Sequence, residues 1–450
     1  MGDKEEVLIS ILDELIGEEL KRFKFSLQSI EKKYACQHIP RSKLEHAKVT
    51  DIVSLLIDHY SDHAINMVKD ALIHIKKRDL ADQLLEKAET VVCWIVCEVI
   101  KDSIECGEEI TRNLKTISQV FVQFVSILLK YHGNKCPSDT IHKLGSLALA
   151  GVRKHQFLFQ EEELETLFSN HIQDASAFLD KILFKQNLSC RSAYHFLHLI
   201  IQELLAAMFC VSGMSDEERD KLLCEALDNS CFFNVVYFMF GLANKNTQAL
   251  IPDSILLPIS VLRTQLENWM NKAMTSSSYD SYVLELLHCL FEIQDEEFVR
   301  KVMEYRYTDH LELIGGYLSK HDCTVIKYCI EQCGEVRRLD LLLCILGEEE
   351  VKVLLEVLQK CRCFSLNDSH LTDSCVDSLS SGLDAFSSSL VLLDLSNNFF
   401  TDSSVPSFIH IMLKYTSLEV FKVDDGPVVS VRSRNEEEHQ ECKRYLSLYI

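Results

Sequence analysis

The chain has 450 residues, 47% of them hydrophobic and 25% charged, enough apolar content to bury the cores of two to four domains. Its formal charge of -22 excludes whole-chain affinity for nucleic acid or anionic lipid, so any basic surface must be local. Only 6 Pro and 14 Gly argue for long helices joined by short turns, and exclude collagenous or low-complexity segments.

The opening MGDKEEVLIS is charged where a signal peptide needs an apolar run, and Glu6 occupies the Ser/Thr position of a myristoylation motif. A cytosolic protein is expected, without a membrane span. From Glu5 to Ile30 the apolar positions Val7, Leu8, Leu12, Leu15, Leu20, Phe23, Leu27 and Ile30 recur at helical spacing, interrupted at Gly17, which predicts two short helices. Further helices are expected over Thr50 to Tyr60, where Thr50 reads as the cap, over Asp62 to Ile75 and over Arg78 to Lys87. Such a bundle has little room for a ligand pocket, so its surface must carry the function. Charge segregates there. Asp13 and Glu14 end the first helix, Lys21, Arg22 and Lys24 stud the second, Arg41 and Lys43 follow Pro40, and Asp51 and Asp58 lie on the fourth.

The stretches LIGEELKRFKFSL, HIPRSKLEHA and DIVSLLIDHY resemble the pyrin domain, a six-helix bundle of the death-fold superfamily, over residues 1–90. The resemblance implies homotypic association, an acidic face on the first and fourth helices meeting a basic face on the second and third. It implies partner-binding roles for Asp13, Glu14, Lys21, Arg22, Lys24, Arg41, Lys43 and Asp51, and as partners a pyrin-domain adaptor and other pyrin-domain proteins. Lys48 stands where several members of that family carry an acid, which weakens the acidic face.

The helical bundle runs without a linker into VVCWIVCEVI, residues 91–100, which is too short to span a membrane and is interrupted by Glu98. The run is expected to be a buried helix. With its continuation it is similar to the segment of NOD-like receptors that ends the first helical subdomain of their nucleotide-binding NACHT module, here 91–111. Residues 112–213 resemble the winged-helix subdomain, ending in YHFLHLIIQELLAAMFC, and 214–315 the second helical subdomain. In that family a histidine at the position of His198 contacts the nucleotide. The phosphate loop GxxxxGK[ST] occurs nowhere in the chain, however, so ATP or ADP binding is expected to be lost and His198 to be a relict contact. Asp424-Asp425 mimics the end of a Walker B strand by chance.

The 18 cysteines sit mostly in apolar helical runs, as at Cys93, Cys97, Cys231, Cys289 and Cys329, and read as buried free thiols. His321, Cys323, Cys329 and Cys333, with Cys361 and Cys363, lack the paired CxxC spacing of a zinc site, so no metal is expected. No nucleophile, base and orienting acid recur at a recognisable spacing, so an enzyme is not expected.

From Val336 the template LxxLxLxxN/CxL fits four times, starting at Val336, Cys361, Leu390 and Leu418, at intervals of 25, 29 and 28 residues. LVLLDLSNNFF is the clearest copy, with Asn398 expected to bond backbone groups in its turn and Asp373 to Leu383 expected to be a helical return. This pattern identifies 316–450 as a short α/β leucine-rich repeat solenoid of unknown ligand.

The fold class expected is therefore mainly α: a death-fold bundle, winged-helix and helical NACHT-associated subdomains, then repeats. The preferred reading is a cytosolic innate-immune regulatory protein acting by charge-complementary association with an inflammasome adaptor. The alternative is a nucleotide-switched receptor that retains weak ADP or ATP binding. Apolar surface left by the missing ATPase core implies self-association.

Overall fold

A computed structural model describes residues 8–15, 17–30, 39–40, 43–44, 47–60, 63–75, 77, 80–81, 83–84, 90–106, 114–131, 137–168, 172–186, 189–252, 255, 258–275, 282–386, 390–414, 418, 420–423 and 429–430. These fall into two compact units, 1–115 with 120–135 and 150–202, and 116–119 with 136–149 and 203–450. Among the described residues no helix is long and apolar enough to cross a membrane.

The described residues among the first ninety form a helical bundle, as expected, and the helix expected over Arg78 to Lys87 lies largely outside the described residues. Residues 8–12 are helical, and Gly17, at φ +52°, makes the left-handed turn into α1 (Glu18–Ile30). α2 (Val49–Tyr60) and α3 (His63–His74) follow. Their apolar stripes close on one another: Leu8, Leu12, Phe23, Leu27, Ile52, Leu56, Val68 and Leu72 belong to one buried cluster. Ser26 on α1 donates to the Ala71 carbonyl on α3 at 3.5 Å. α2 begins at Val49, a residue before Thr50, and its cap differs from the expected one. The Asp51 carboxylate accepts from the Lys48 amide at 3.0 Å, so the first turn is closed from inside the helix.

α4 (Thr90–Cys106) is only in part the buried helix expected from its apolar run, and it leaves apolar surface exposed as the missing ATPase core implies. Ile95 and Val99 are buried, but Trp94, Ile100 and Ile104 are 48%, 42% and 73% exposed, and Cys93 and Cys97 are exposed as well. An apolar run reports what a helix could bury, and among the described residues only one face of this one is covered. Trp94 meets Phe124 edge to face, with ring centroids 5.5 Å apart.

α5 (Ile117–Tyr131), α6 (Pro137–Lys154) and α7 (Glu161–Phe168) accompany a three-stranded antiparallel sheet in the order β1 (Phe159–Gln160), β3 (Ser189–Phe196), β2 (Leu179–Gln186). The β2–β3 hairpin pairs Leu179 with Phe196 through Gln186 with Ser189 and forms the wing. α8 (Leu199–Ser212) is buried along nearly its whole length. Gly145 of α6 lets it come close: a Cβ there would lie 2.5 Å from the Leu205 carbonyl oxygen.

α9 (Asp216–Asp228) opens with a capping box, Ser215 and Glu218 serving each other's backbone amides. Arg219 on this helix is fully buried. Its Nη1 donates to the carbonyls of Cys210 (2.9 Å) and Val211 (3.1 Å) at the end of α8, its Nε to Gln265 (2.6 Å), and its Nη2 to Asp216. A cation thus meets the negative end of a helix dipole out of water. α10 (Phe233–Leu242), α11 (Ile259–Thr275), α12 (Val283–Ile293) and α13 (Glu296–Arg306) complete the helical region. Glu292, 1% exposed, accepts from the amides of Ile117 and Ser118 at 3.1 Å each and from the Tyr237 hydroxyl at 2.6 Å. The positive end of α5 holds this buried carboxylate.

A six-stranded sheet follows in sequential order: β4 (His310–Tyr317), β5 (Val336–Ile345), β6 (Cys361–Ser365), β7 (Leu392–Asp394), β8 (Val420–Lys422) and β9 (Val429–Ser430). The first five are parallel and β9 is antiparallel. α14 (Lys320–Glu331), α15 (Glu348–Leu355), α16 (Val376–Phe386) and α17 (Val405–Lys414) are the returns. The four expected copies fall on β5 to β8 in register, and the row Leu311, Leu339, Phe364, Leu393, Phe421 is fully buried. Asn398 meets its expectation. Its Nδ2 donates to the carbonyls of Leu366 and Leu395 at 2.8 Å, and its Oδ1 accepts from Ser369 and Leu371 at 3.0 Å. The sheet begins one strand before the first copy. β4 pairs with β5 through Leu311–Leu339 and Leu313–Leu341, so the expected boundary at 315/316 falls inside a strand.

Candidate interaction surface

On the bundle, α1 turns Phe23 and Leu27 into the core and sends Lys21 and Arg22 to solvent. One turn beyond them Phe25 is 63% exposed, although a phenylalanine on a core-building helix would ordinarily turn inward. Lys21, Arg22 and Phe25 from α1, with His74 at the end of α3 and Ile75 just after it, line a concavity of 390 Å³. The surface therefore combines guanidinium and ammonium donors with an aromatic face, suited to an acidic, partly apolar partner. Phe25 and His74 were not legible as site residues from charge alone. The signal for Phe25 was its spacing, three and four residues from Arg22 and Lys21 and out of phase with the core stripe.

Among the other expected contacts, Asp13 and Glu14 are exposed at the turn ending the first helix, and Lys43 is exposed after Pro40. Asp51 is exposed on the first turn of α2, next to the exposed Lys48. Lys24 departs from the expected basic face. It is half-buried and its Nζ donates to the Ala47 carbonyl at 2.8 Å, so part of its hydrogen-bonding capacity serves the bundle itself. Arg41 lies outside the described residues.

His198 directly precedes α8 and acts as its cap. Its Nδ1 accepts from the Ile200 amide at 3.2 Å, and its carbonyl accepts from Ile201 and Gln202 at 3.0 and 3.2 Å. Asp424 and Asp425 lie outside the described residues.

The cysteine expectation needs correction at five of the described positions: Cys93, Cys97 and Cys224 are exposed and Cys231 and Cys363 are half-buried, whereas Cys289 and Cys329 are buried. Burial pushes the Cys323 and Cys329 thiols far above their ordinary range, Cys333 up to about 11 and Cys361 up to about 12. Thiols held protonated in apolar surroundings are poor metal ligands. His321 is exposed beside His288, ring centroids 5.3 Å apart, and partial desolvation of the ring followed by that neighbour lowers its pKa. His288 Nε2 lies 2.7 Å from Asp322. Among the described residues the one group with metal-ligand geometry is a different one, His310, Glu312 and Asp340 on β4 and β5.

Comparison with known proteins places three family models along the chain: the PAAD/DAPIN/Pyrin domain at 7–82, the NOD2 winged helix domain at 139–196, and the NLRC4 helical domain HD2 at 198–301. His198 thus begins the matched helical domain. Similar curated proteins include human NACHT, LRR and PYD domains-containing protein 3, 32% identical over 353 residues, 69% of this chain and 33% of that protein. NACHT, LRR and PYD domains-containing protein 1 homolog of Danio rerio is 28% identical over 310 residues, 63% of this chain and 22% of that protein. Human NACHT, LRR and PYD domains-containing protein 12 is 27% identical over 265 residues, 56% and 25% respectively. The chain spans about a third or less of the length of these relatives.

Proposed function

Because the chain carries a pyrin domain followed by winged-helix and second helical domains of the NOD-like receptor type, we propose that it is a cytoplasmic innate-immune signalling protein. It acts by binding other pyrin-domain proteins, an inflammasome adaptor in particular, and has no catalytic activity. The observation that carries this reading is the exposed basic and aromatic concavity at Lys21, Arg22 and Phe25, on the same small bundle as the exposed acids Asp13, Glu14 and Asp51. A surface with both signs can join identical or similar bundles head to tail, and charge complementarity sets partner choice and encounter rate. No nucleotide enters this reading. The phosphate-loop motif is missing from the sequence, and His198 commits one ring nitrogen to its own helix.

The test is co-assembly of the full chain with a purified pyrin-domain adaptor, followed by sedimentation or light scattering. Lys21→Glu and Arg22→Glu should abolish co-assembly, because each places like charges together at every added subunit. Both side chains are exposed, so melting should be unchanged within about 0.5 kcal/mol. Unaltered co-assembly by both variants would defeat the proposal.

A further inference from the structure

The outward face of the repeat sheet holds a group that the interaction surface does not use. His310 and Glu312 stand two residues apart on β4, hence on one face, and Asp340 is the register partner of Glu312 on β5. One ligand atom from each lies within 4.8 Å of the other two. Asp340 is unusual for a residue on that face, since its side chain is 2% exposed. Its Oδ2 is doubly engaged, 2.8 Å from His310 Nε2 and 2.6 Å from Arg338 Nε. Its Oδ1 is buried and has no hydrogen-bond partner among the described residues. An orphaned carboxylate oxygen away from water is costly, and neither flanking group relieves it: Arg338 already binds Oδ2, and Glu312 brings a second negative charge.

We propose that His310, Glu312 and Asp340 form a binding site for a divalent transition-metal ion of the zinc class. Imidazole with two carboxylates is a donor set for such ions, and three protein ligands leave a coordination position open to solvent. Asp340 Oδ1 takes the cation. Oδ2 stays with Arg338, which orients the carboxylate as outer partners of metal ligands do. His310 Nε2 exchanges its contact with Asp340 for the metal and releases its proton where it carried one. His310 is 44% exposed, which gives the ion a path in. The bound ion would tie β4 to β5 at the start of the sheet.

Cobalt(II) alone is the probe, because its visible spectrum separates this donor set from thiolates elsewhere in a cysteine-rich chain. Titrated with the full chain, it should bind with one equivalent showing weak d–d bands and no sulfur-to-metal charge transfer, and zinc should displace it. His310→Gln and Glu312→Gln, both at solvent-accessible positions, should each weaken that equivalent by more than the roughly 10-fold lost with an outer-shell partner. Both should melt like the parent in chelator and lose the rise in Tm that zinc gives the parent. Absence of such an equivalent in the parent, a spectrum dominated by thiolate charge transfer, or unchanged binding by both variants would each overturn the site.

Discussion

Glu292 and Asn398 illustrate how single side chains hold this molecule where no apolar contact can. Glu292 satisfies two amides at the start of α5 and the Tyr237 hydroxyl from inside the core. The carboxylate is compensated only while those donors face it, and the donors only while it is present. Glu292→Ala should therefore cost more than one ordinary hydrogen bond, about 3 kcal/mol or more, since each buried group left unsatisfied costs about 1–3 kcal/mol. Chemical denaturation showing a loss below about 1 kcal/mol would mean that water or another donor replaces the contact. The His288, His321 and Asp322 cluster adds a pH dependence. Partial desolvation, then His288, disfavours the charged form of His321, so the unfolded chain binds the proton more readily. Stability should fall as pH drops below the ordinary histidine value of about 6.5. Burial opposes ionisation of Asp322, but hydrogen bonds from His288 and Ser319 outweigh it and depress its pKa. Its contribution is present above the ordinary carboxylate value of about 3.9 and is lost as pH falls through the lower folded value. The two groups act in successive windows, so His321→Gln should flatten stability between about pH 7 and 5 and leave the acid limb below about pH 4 intact. Denaturation midpoints of parent and variant at pH 7.5, 5.5 and 3.5 read both windows.

At the scale of elements, α4 yields the clearest chemical prediction. Cys93 and Cys97 lie one turn apart on its exposed stripe with Ile100 and Ile104, while Cys289 and Cys329 are buried. A thiol reagent applied to the native chain should modify Cys93 and Cys97 rapidly, so Cys93→Ser with Cys97→Ser should remove two equivalents from the fast phase. Cys289→Ser should remove none. Protection of Cys93 and Cys97 at micromolar concentration, relieved by dilution, would show that the stripe is covered by another copy, as exposed apolar patches often are. The same helix marks the limit of what its sequence discloses. VVCWIVCEVI predicts a helix correctly, but its hydropathy is silent on how many faces find partners. The repeats were more legible because their period acts over several strands, and Leu339, Phe364, Leu393 and Phe421 occupy one template position and one buried row. β4 escaped because Thr308 and Gly316 stand at two template positions, although Leu311, Leu313 and Leu318 keep the rest. The charged members of the interaction surface were legible as residue types at helical spacing. The Lys24 bond to Ala47 and the outward turn of Phe25 were not, because both depend on which neighbours reach that side of the bundle.

For the whole molecule, the question is whether a chain of charge -22 can hold a nucleotide at all. A nucleoside triphosphate is a polyanion, and general electrostatics here oppose its approach unless a local cradle of backbone amides and a lysine overcomes them. The sequence has no GxxxxGK[ST] segment to build that cradle. His198 is the position to which the resemblance points for a nucleotide contact, and its Nδ1 already accepts from Ile200. A single hydrogen bond from that ring to a charged phosphate would contribute roughly 1.5–3 kcal/mol net. That corresponds to a dissociation constant weaker than about 1 mM before any cost of ordering the ligand. Calorimetry with ATP or ADP and the full chain should therefore show no saturable heat at micromolar to submillimolar ligand. His198→Ala should change nothing in that titration, while fraying the start of α8 enough to lower the melting temperature. A micromolar Kd that disappears in His198→Ala would reverse the assignment. The chain would then be a nucleotide-switched receptor, and the charged pyrin surface would be the output of a switch instead of a constitutive adhesive patch.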